Sequence, residues 1–151
     1  MAAARSLAES IAPFDLPPLA VQDLFGFLAL RETKASAPLQ ALADACVEQL
    51  DCFRAPATAA ELIRRRRAKL TPEQDAMLVR WGYPYVFNTW FFHLTLTRRL
   101  SAVEKQVFLP AAGAHFAGSI ARSHRVSDIC LFVQRAPGAP FIIKERLKLR
   151  G

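Results

Sequence analysis

Four times along the chain a serine or threonine is followed three residues later by glutamate or glutamine: Ser6 with Glu9, Thr58 with Glu61, Thr71 with Gln74, and Ser101 with Glu104. At that spacing each side chain reaches the other's backbone amide across the first turn of a helix, so each pair marks a helix start. The first of these helices is expected to begin near Ala2 or Ser6. Pro72 follows Thr71 at the first helical position, where its missing N–H is not needed, and Gly82 stands where a left-handed stop suits a glycine. The spacing predicts a helix from Thr71 to about Trp81. Between Pro38 and Phe53, Leu39, Leu42, Cys46, Leu50 and Phe53 recur at three- and four-residue intervals and form one apolar helical face.

Strand signals lie between these helices. The run Leu24 to Leu30 is too short for an independent helix and carries two phenylalanines, so it reads as one buried strand, with Gly26 marking a bulge or a close approach. Pro13 to Pro18 reads as an irregular lead-in to it. Val126–Gln134 and Phe141–Leu149 form a hairpin around Pro137, Gly138, Ala139 and Pro140. In its second arm Phe141, Ile143, Leu147 and Leu149 share one face, and Lys144, Arg146, Lys148 and Arg150 share the other. Glu145 is the one charge on the apolar face. No internal repeat, heptad or long linker interrupts the chain, so residues 1–151 are expected to form one α+β domain, a mixed sheet with packed helices.

The net charge of +7 comes mostly from arginine, whose planar guanidinium suits phosphate and carboxylate partners. A small phosphate ester is the favoured ligand class and RNA the less favoured one. Arg64, Arg65, Arg66 and Arg67 are consecutive and so spread around a helix, which reads as a solvated surface with no indication of which arginine would meet a phosphate. No apolar run approaches the roughly 18–20 residues of a membrane span. Met1 to Ile11 lacks the apolar core of a secretory signal, which points to the cytoplasm. Cys46, Cys52 and Cys130 are odd in number and unpatterned, and are read as reduced core thiols; no spacing suggests a metal site or a cofactor.

The segment that carries chemistry is Trp90 to Thr97. Read as a strand, it sets Phe92, Leu94 and Leu96 on a core face and Phe91, His93, Thr95 and Thr97 on the other. An imidazole can take or give a proton near neutral pH, and a hydroxyl two residues along can donate to a phosphoryl oxygen. Tyr83 and Tyr85 flank Pro84 just upstream, and Tyr85 is read as a substrate-binding residue. The bland alternative for each is a structural one: a hydrogen-bonded strand histidine, or a tyrosine packed with its hydroxyl at the rim.

At Phe92-His93-Leu94-Thr95-Leu96-Thr97 the chain resembles the two-histidine phosphoesterases, and within them a phosphonate-metabolism-associated family, domain of unknown function 1045. The resemblance extends to Phe14-Asp15-Leu16, Gly26 to Arg31, Arg64-Arg65-Arg66 leading to Leu70-Thr71, Trp81 to Val86, and Ala136 to Phe141. It implies a bilobal fold in which each lobe gives one His-x-Thr or His-x-Ser strand to a central cleft. One histidine then acts as base and the other as acid in opening a cyclic phosphodiester, and His93 and Thr95 would be the catalytic residues. This sequence holds one such motif only, because His115 and His124 have no hydroxyl residue two positions on. The family's first motif would precede Ala2, so the chain is expected to begin just after it and to lack the first lobe's opening strands. Arg98 stands where the family has glycine. Self-association, as a homodimer, is expected from the sheet edge this exposes. The competing reading is a non-catalytic domain that holds a phosphorylated ligand or an RNA end.

Overall fold

A computed structural model describes residues 1–151. Its elements, in chain order, are α1 (Ala2–Glu9), β1 (Phe14–Leu16), β2 (Leu19–Leu24), β3 (Phe27–Glu32), α2 (Ala37–Leu50), α3 (Ala59–Arg66), α4 (Pro72–Trp81), β4 (Leu94–Thr95), α5 (Ala102–Ile120), β5 (His124–Val126), β6 (Asp128–Gln134) and β7 (Phe141–Lys148). The chain is a mixed α+β structure with three small antiparallel sheets, β1 with β5, β2-β3-β4, and β6 with β7. No helix is long and apolar enough to cross a membrane. The elements fall into two compact units. Met1–Pro13, Pro38–Phe91 and Ser127–Gly151 make the first, and Phe14–Ala37 and Phe92–Val126 the second.

In the second unit, α5 packs on β2 through Phe116 and Ile120, which meet Leu19, Val21 and Leu30 from the sheet, with Phe92 and Leu96 reaching the same cluster. Ser101 caps α5 with Glu104 in the reciprocal arrangement that its spacing implies. Leu28, Ala29 and Leu30 are all buried, so both faces of the central strand β3 are out of water. The run Leu24 to Leu30 is not one strand. It is the turn of a hairpin, with Phe25 at φ 51° and Gly26 at φ 102° between β2 and β3. Two positive φ values in a two-residue loop match the twist of the flanking strands, and glycine meets that need at its position without strain. Phe14–Leu16, expected to be irregular, pairs with His124–Val126 as a short strand.

In the first unit, α1 starts at Ala2, with Met1 as an N-cap that uses no side chain, so Ser6 lies inside the helix and its box is not used. The run of alanines ahead of Ser6 favours helix and carries the start past it. Leu7 and Ala8 on α1 are buried, and α1 packs on β6 and β7. Thr58 and Thr71 cap α3 and α4 as their spacing implies, and Gly82 closes α4 at φ 72°. A Cβ on Gly82 would come within 2.8 Å of the Arg54 guanidinium, a flexible end that can shift, so it is the positive φ that calls for glycine here. On α2, Leu39 and Leu42 are buried, but the expected stripe fails at its end: Phe53 sits in a 3₁₀ turn, Asp51–Phe53, and is 71% exposed. Of the cysteines, Cys52 is exposed rather than a core thiol, while burial raises the pKa of Cys46; all three are free.

The β6–β7 hairpin is present, with one correction to its alternation. A bulge between Leu131 and Phe132 sets Leu131 opposite Glu145 but Phe132 opposite Ile143, so Lys144 is skipped. Because partners share a face, Ile142 then joins Glu145 and Leu147, while Phe141 and Ile143 join Arg146. Phe132, Phe141 and Ile143 are accordingly half exposed or more. Glu145, the odd charge on the apolar face, is held by Arg5 of α1 at 2.8 Å.

Candidate functional site

The motif segment is less regular than its alternation suggests. Only Leu94 and Thr95 form strand, with Leu94 opposite Leu30 and Thr95 opposite Ala29, while the Leu96 amide donates to the Leu28 carbonyl at 2.8 Å. Phe92 and Leu96 face the core as expected, but Leu94 is 48% exposed. The reason is the position of the helix. α5 lies over β2, and β4 is the opposite edge of the sheet, so the row of Leu94 extends past the helix.

Thr95 shares its row with Ala29 and Gln22 across the three strands. His93 lies just before β4, outside the paired residues, and Arg31 follows Ala29 by two on the same face of β3. The His93 ring approaches Phe27, whose centroid is 6.3 Å away, and Phe27 lies on this face two residues before Ala29. The small Ala29 leaves room for the two rings to lean together. His93 and Thr95 are exposed, and Arg31 and Gln22 are half-buried. An imidazole, a hydroxyl, a guanidinium and an amide thus line one sheet face, a set able to move a proton and to hold a phosphoryl oxygen. Sequence reading missed Arg31 and Gln22, because the alternation of β2 and β3 is legible only once the Phe25-Gly26 turn divides them.

Thr97 does not join this group. Its hydroxyl accepts from the Leu28 amide at 3.0 Å and donates to the Arg98 carbonyl at 2.8 Å, so it fastens the strand instead of facing a ligand. The two arginines that follow are also engaged in structure. Arg99 donates to the Phe25 carbonyl at the hairpin turn, and Leu100 N donates to the Gly26 carbonyl at 2.7 Å. Arg98 pairs with Glu104 at 2.7 Å, which ties the exit of the motif strand to the cap of α5. The exit is thus made without a positive φ at Arg98.

The Arg98 guanidinium, with the Ser101 amide and hydroxyl behind it, lowers the Glu104 pKa from 4.5 to about 2. A depressed carboxylate stabilises the fold above its ordinary value, and that contribution is lost as pH falls through the folded one. The first turn of α5 is therefore expected to hold at pH 5 and to loosen between about pH 4.5 and 2. Glu104→Gln should make that turn insensitive to pH over the same window. Amide exchange at Glu104 and Lys105, followed across the titration, checks both.

Tyr85 belongs to the first unit, where it lines a cavity of about 280 Å³ with Arg64, Arg65, Ala68, Tyr83 and Pro84. His115 stands on α5 with its ring edge-on to Phe116, and His124 is in β5 opposite Leu16. Neither is placed by a motif like that of His93.

Residues 1–142 match the family described as "Protein of unknown function (DUF1045)". Two proteins named ribose 1,5-bisphosphate phosphokinase PhnN are similar to the chain. That of Janthinobacterium sp. (strain Marseille) is 36% identical over 152 residues, covering 98% of this chain and 34% of the relative. That of Laribacter hongkongensis (strain HLHK9) is 38% identical over 137 residues, covering 91% and 31%. The chain spans about a third of the length of these relatives. No solved structure matches it.

Proposed function

The chain belongs to the DUF1045 family, and from that premise we propose that residues 1–151 supply one of the two His-x-Thr or His-x-Ser motifs of a phosphonate-metabolism phosphoesterase of the two-histidine type. The observation that supports the reading is the exposed pair His93 and Thr95 at the edge of the sheet, with Thr95 in the row of Ala29 and Gln22 and the His93 ring near Phe27. In the reaction, water attacks phosphorus of a cyclic phosphodiester, one ester P–O bond breaks, and the ring opens to a monoester and a free hydroxyl. One imidazole takes the proton from water and a second gives one to the leaving oxygen, while Thr95 donates to a non-bridging oxygen. In this reading no metal or cofactor takes part.

The relatives named for phosphorylating ribose 1,5-bisphosphate direct the substrate class toward a small phosphate ester on a ribose skeleton. A homodimer belongs to the same reading, since β4 is an edge strand and Leu94 on it is half exposed.

A second reading is favoured by one fact: these 151 residues contain a single His-x-Thr. On that reading the chain binds a phosphorylated ligand or an RNA end without turnover. Binding and hydrolysis measured on the same samples, across a panel of cyclic phosphodiesters that includes cyclic ribose phosphates, separate the two. A form carrying both motifs is expected to hydrolyse at least one of them in the presence of chelator. Binding by that form with no turnover of any would leave the second reading standing.

A further inference from the structure

The cavity around Tyr85 has a chemistry of its own. Two of its lining groups are the guanidinium side chains of Arg64 and Arg65, two are the phenols of Tyr83 and Tyr85, and none is a carboxylate. The four consecutive arginines, which in the sequence are indistinguishable, are separated by the structure. Arg66 makes a bidentate pair with Asp75, at 2.6 Å and 3.1 Å, which fixes α3 against α4. Arg65 lies over the Tyr83 ring with its guanidinium carbon 4.8 Å from the centroid. Tyr83 is in turn edge-on to Tyr85 at 5.7 Å. Glu61, which feels the charge of both arginines, accepts from the Thr58 amide at 2.9 Å and the Thr58 hydroxyl at 3.1 Å on one carboxylate oxygen, which engages it in the cap of α3.

We propose that this cavity is an anion site for a phosphate monoester, with Arg64 and Arg65 as the charged contacts and the Tyr83 and Tyr85 hydroxyls as further donors. A guanidinium stacked on an aromatic ring keeps its in-plane N–H groups for a partner and has little orientational freedom left to lose on binding. That is the geometry which recognises two phosphate oxygens at once. The volume, about 280 Å³, is at the small end of ligand pockets and suits a phosphorylated fragment better than a nucleotide. All of the residues that line the cavity belong to the first unit, and the proposal does not depend on His93.

The test is titration of the intact chain with ribose 5-phosphate and with inorganic phosphate, following affinity by calorimetry and the Arg Nε–H resonances by NMR. Saturable binding that shifts the Arg64 and Arg65 signals is expected. Arg64→Ala/Arg65→Ala should weaken it at least tenfold, whereas Arg67→Ala, outside the cavity, should leave it within twofold. Arg65→Lys keeps the charge and loses the planar stack, so it should also weaken binding several-fold, and it guards against a double variant that fails to fold. The shifts should fall on Arg64 and Arg65 whether or not the His93 ring resonances move, which separates failure here from failure of the phosphoesterase reading. Absence of saturable binding, affinity unchanged in both arginine variants, or binding of single-stranded RNA with none of ribose 5-phosphate would overturn the proposal.

Discussion

Replacing His93 with alanine is expected to remove on the order of 10²- to 10⁴-fold in kcat from a form of this protein that holds both His-x-Thr or His-x-Ser motifs, while residues 1–151 alone turn over at background. In-line displacement at phosphorus needs a base on one side and an acid on the other, each within reach of its proton, and one imidazole fills only one role. Thr95→Ala should cost on the order of 10²- to 10³-fold through the lost donor to the developing charge. The double variant should fall less than the product of the two, because residues that act as a unit are not additive. Both side chains are exposed, so the substitutions should leave the fold within roughly 0.5 kcal/mol of the parent, and lost rate will not be lost structure. Steady-state kinetics on cyclic ribose phosphates, with urea unfolding alongside, make the measurement. Efficient turnover by residues 1–151 that survives His93→Ala would sink both the mechanism and the need for a second motif.

The largest stability effect is expected at Leu28. Its side chain is fully buried on the central strand β3, and the cost of Leu28→Ala is the lost transfer energy plus the cavity left behind, about 2–5 kcal/mol. The neighbouring Leu96 amide bonds to the Leu28 carbonyl, so the loss falls on the strand that orders His93 and Thr95. Leu94→Ala serves as the contrast. At 48% exposed it should cost under about 1 kcal/mol, although simple alternation would put it in the core with Leu96. Urea midpoints for the two variants decide between the two placements of Leu94. Equal losses would mean that β4 is more deeply covered than its burial indicates.

What was legible in the sequence was local. Thr58, Thr71 and Ser101 each cap a helix with a partner three residues away, and nothing distant is needed for that bond to form. The turn at Phe25-Gly26 was hidden inside the apolar run Leu24 to Leu30, although Asp23 just ahead of it accepts from the Gly26 amide at 2.9 Å. A phenylalanine at φ 51° costs about 1–3 kcal/mol, and besides the local Asp23 acceptor it is held from far along the chain, by Arg99 on the Phe25 carbonyl and Leu100 on the Gly26 carbonyl. The same holds at the site. Alternation set Phe92 and Leu96 toward the core but also Leu94, which is half exposed, whereas the row that Thr95 shares with Ala29 and Gln22 depends on strand pairing. The Arg64–Arg67 run gave no hint of which arginine was engaged, because that depends on where Asp75 and Tyr83 fall after α4 has formed.

The interleaving of the two units sets an order on the ribosome. The second unit ends at Val126, and the first needs Ser127–Gly151 to be complete. Vectorial synthesis therefore delivers every residue of the second unit while the first still lacks β6 and β7. α1 leaves the exit tunnel long before the strands it packs on, with Arg5 and Glu145 separated by 140 positions. Until then Leu7 and Ala8 have no cover from β6 and β7, and apolar surface left open in that state favours aggregation.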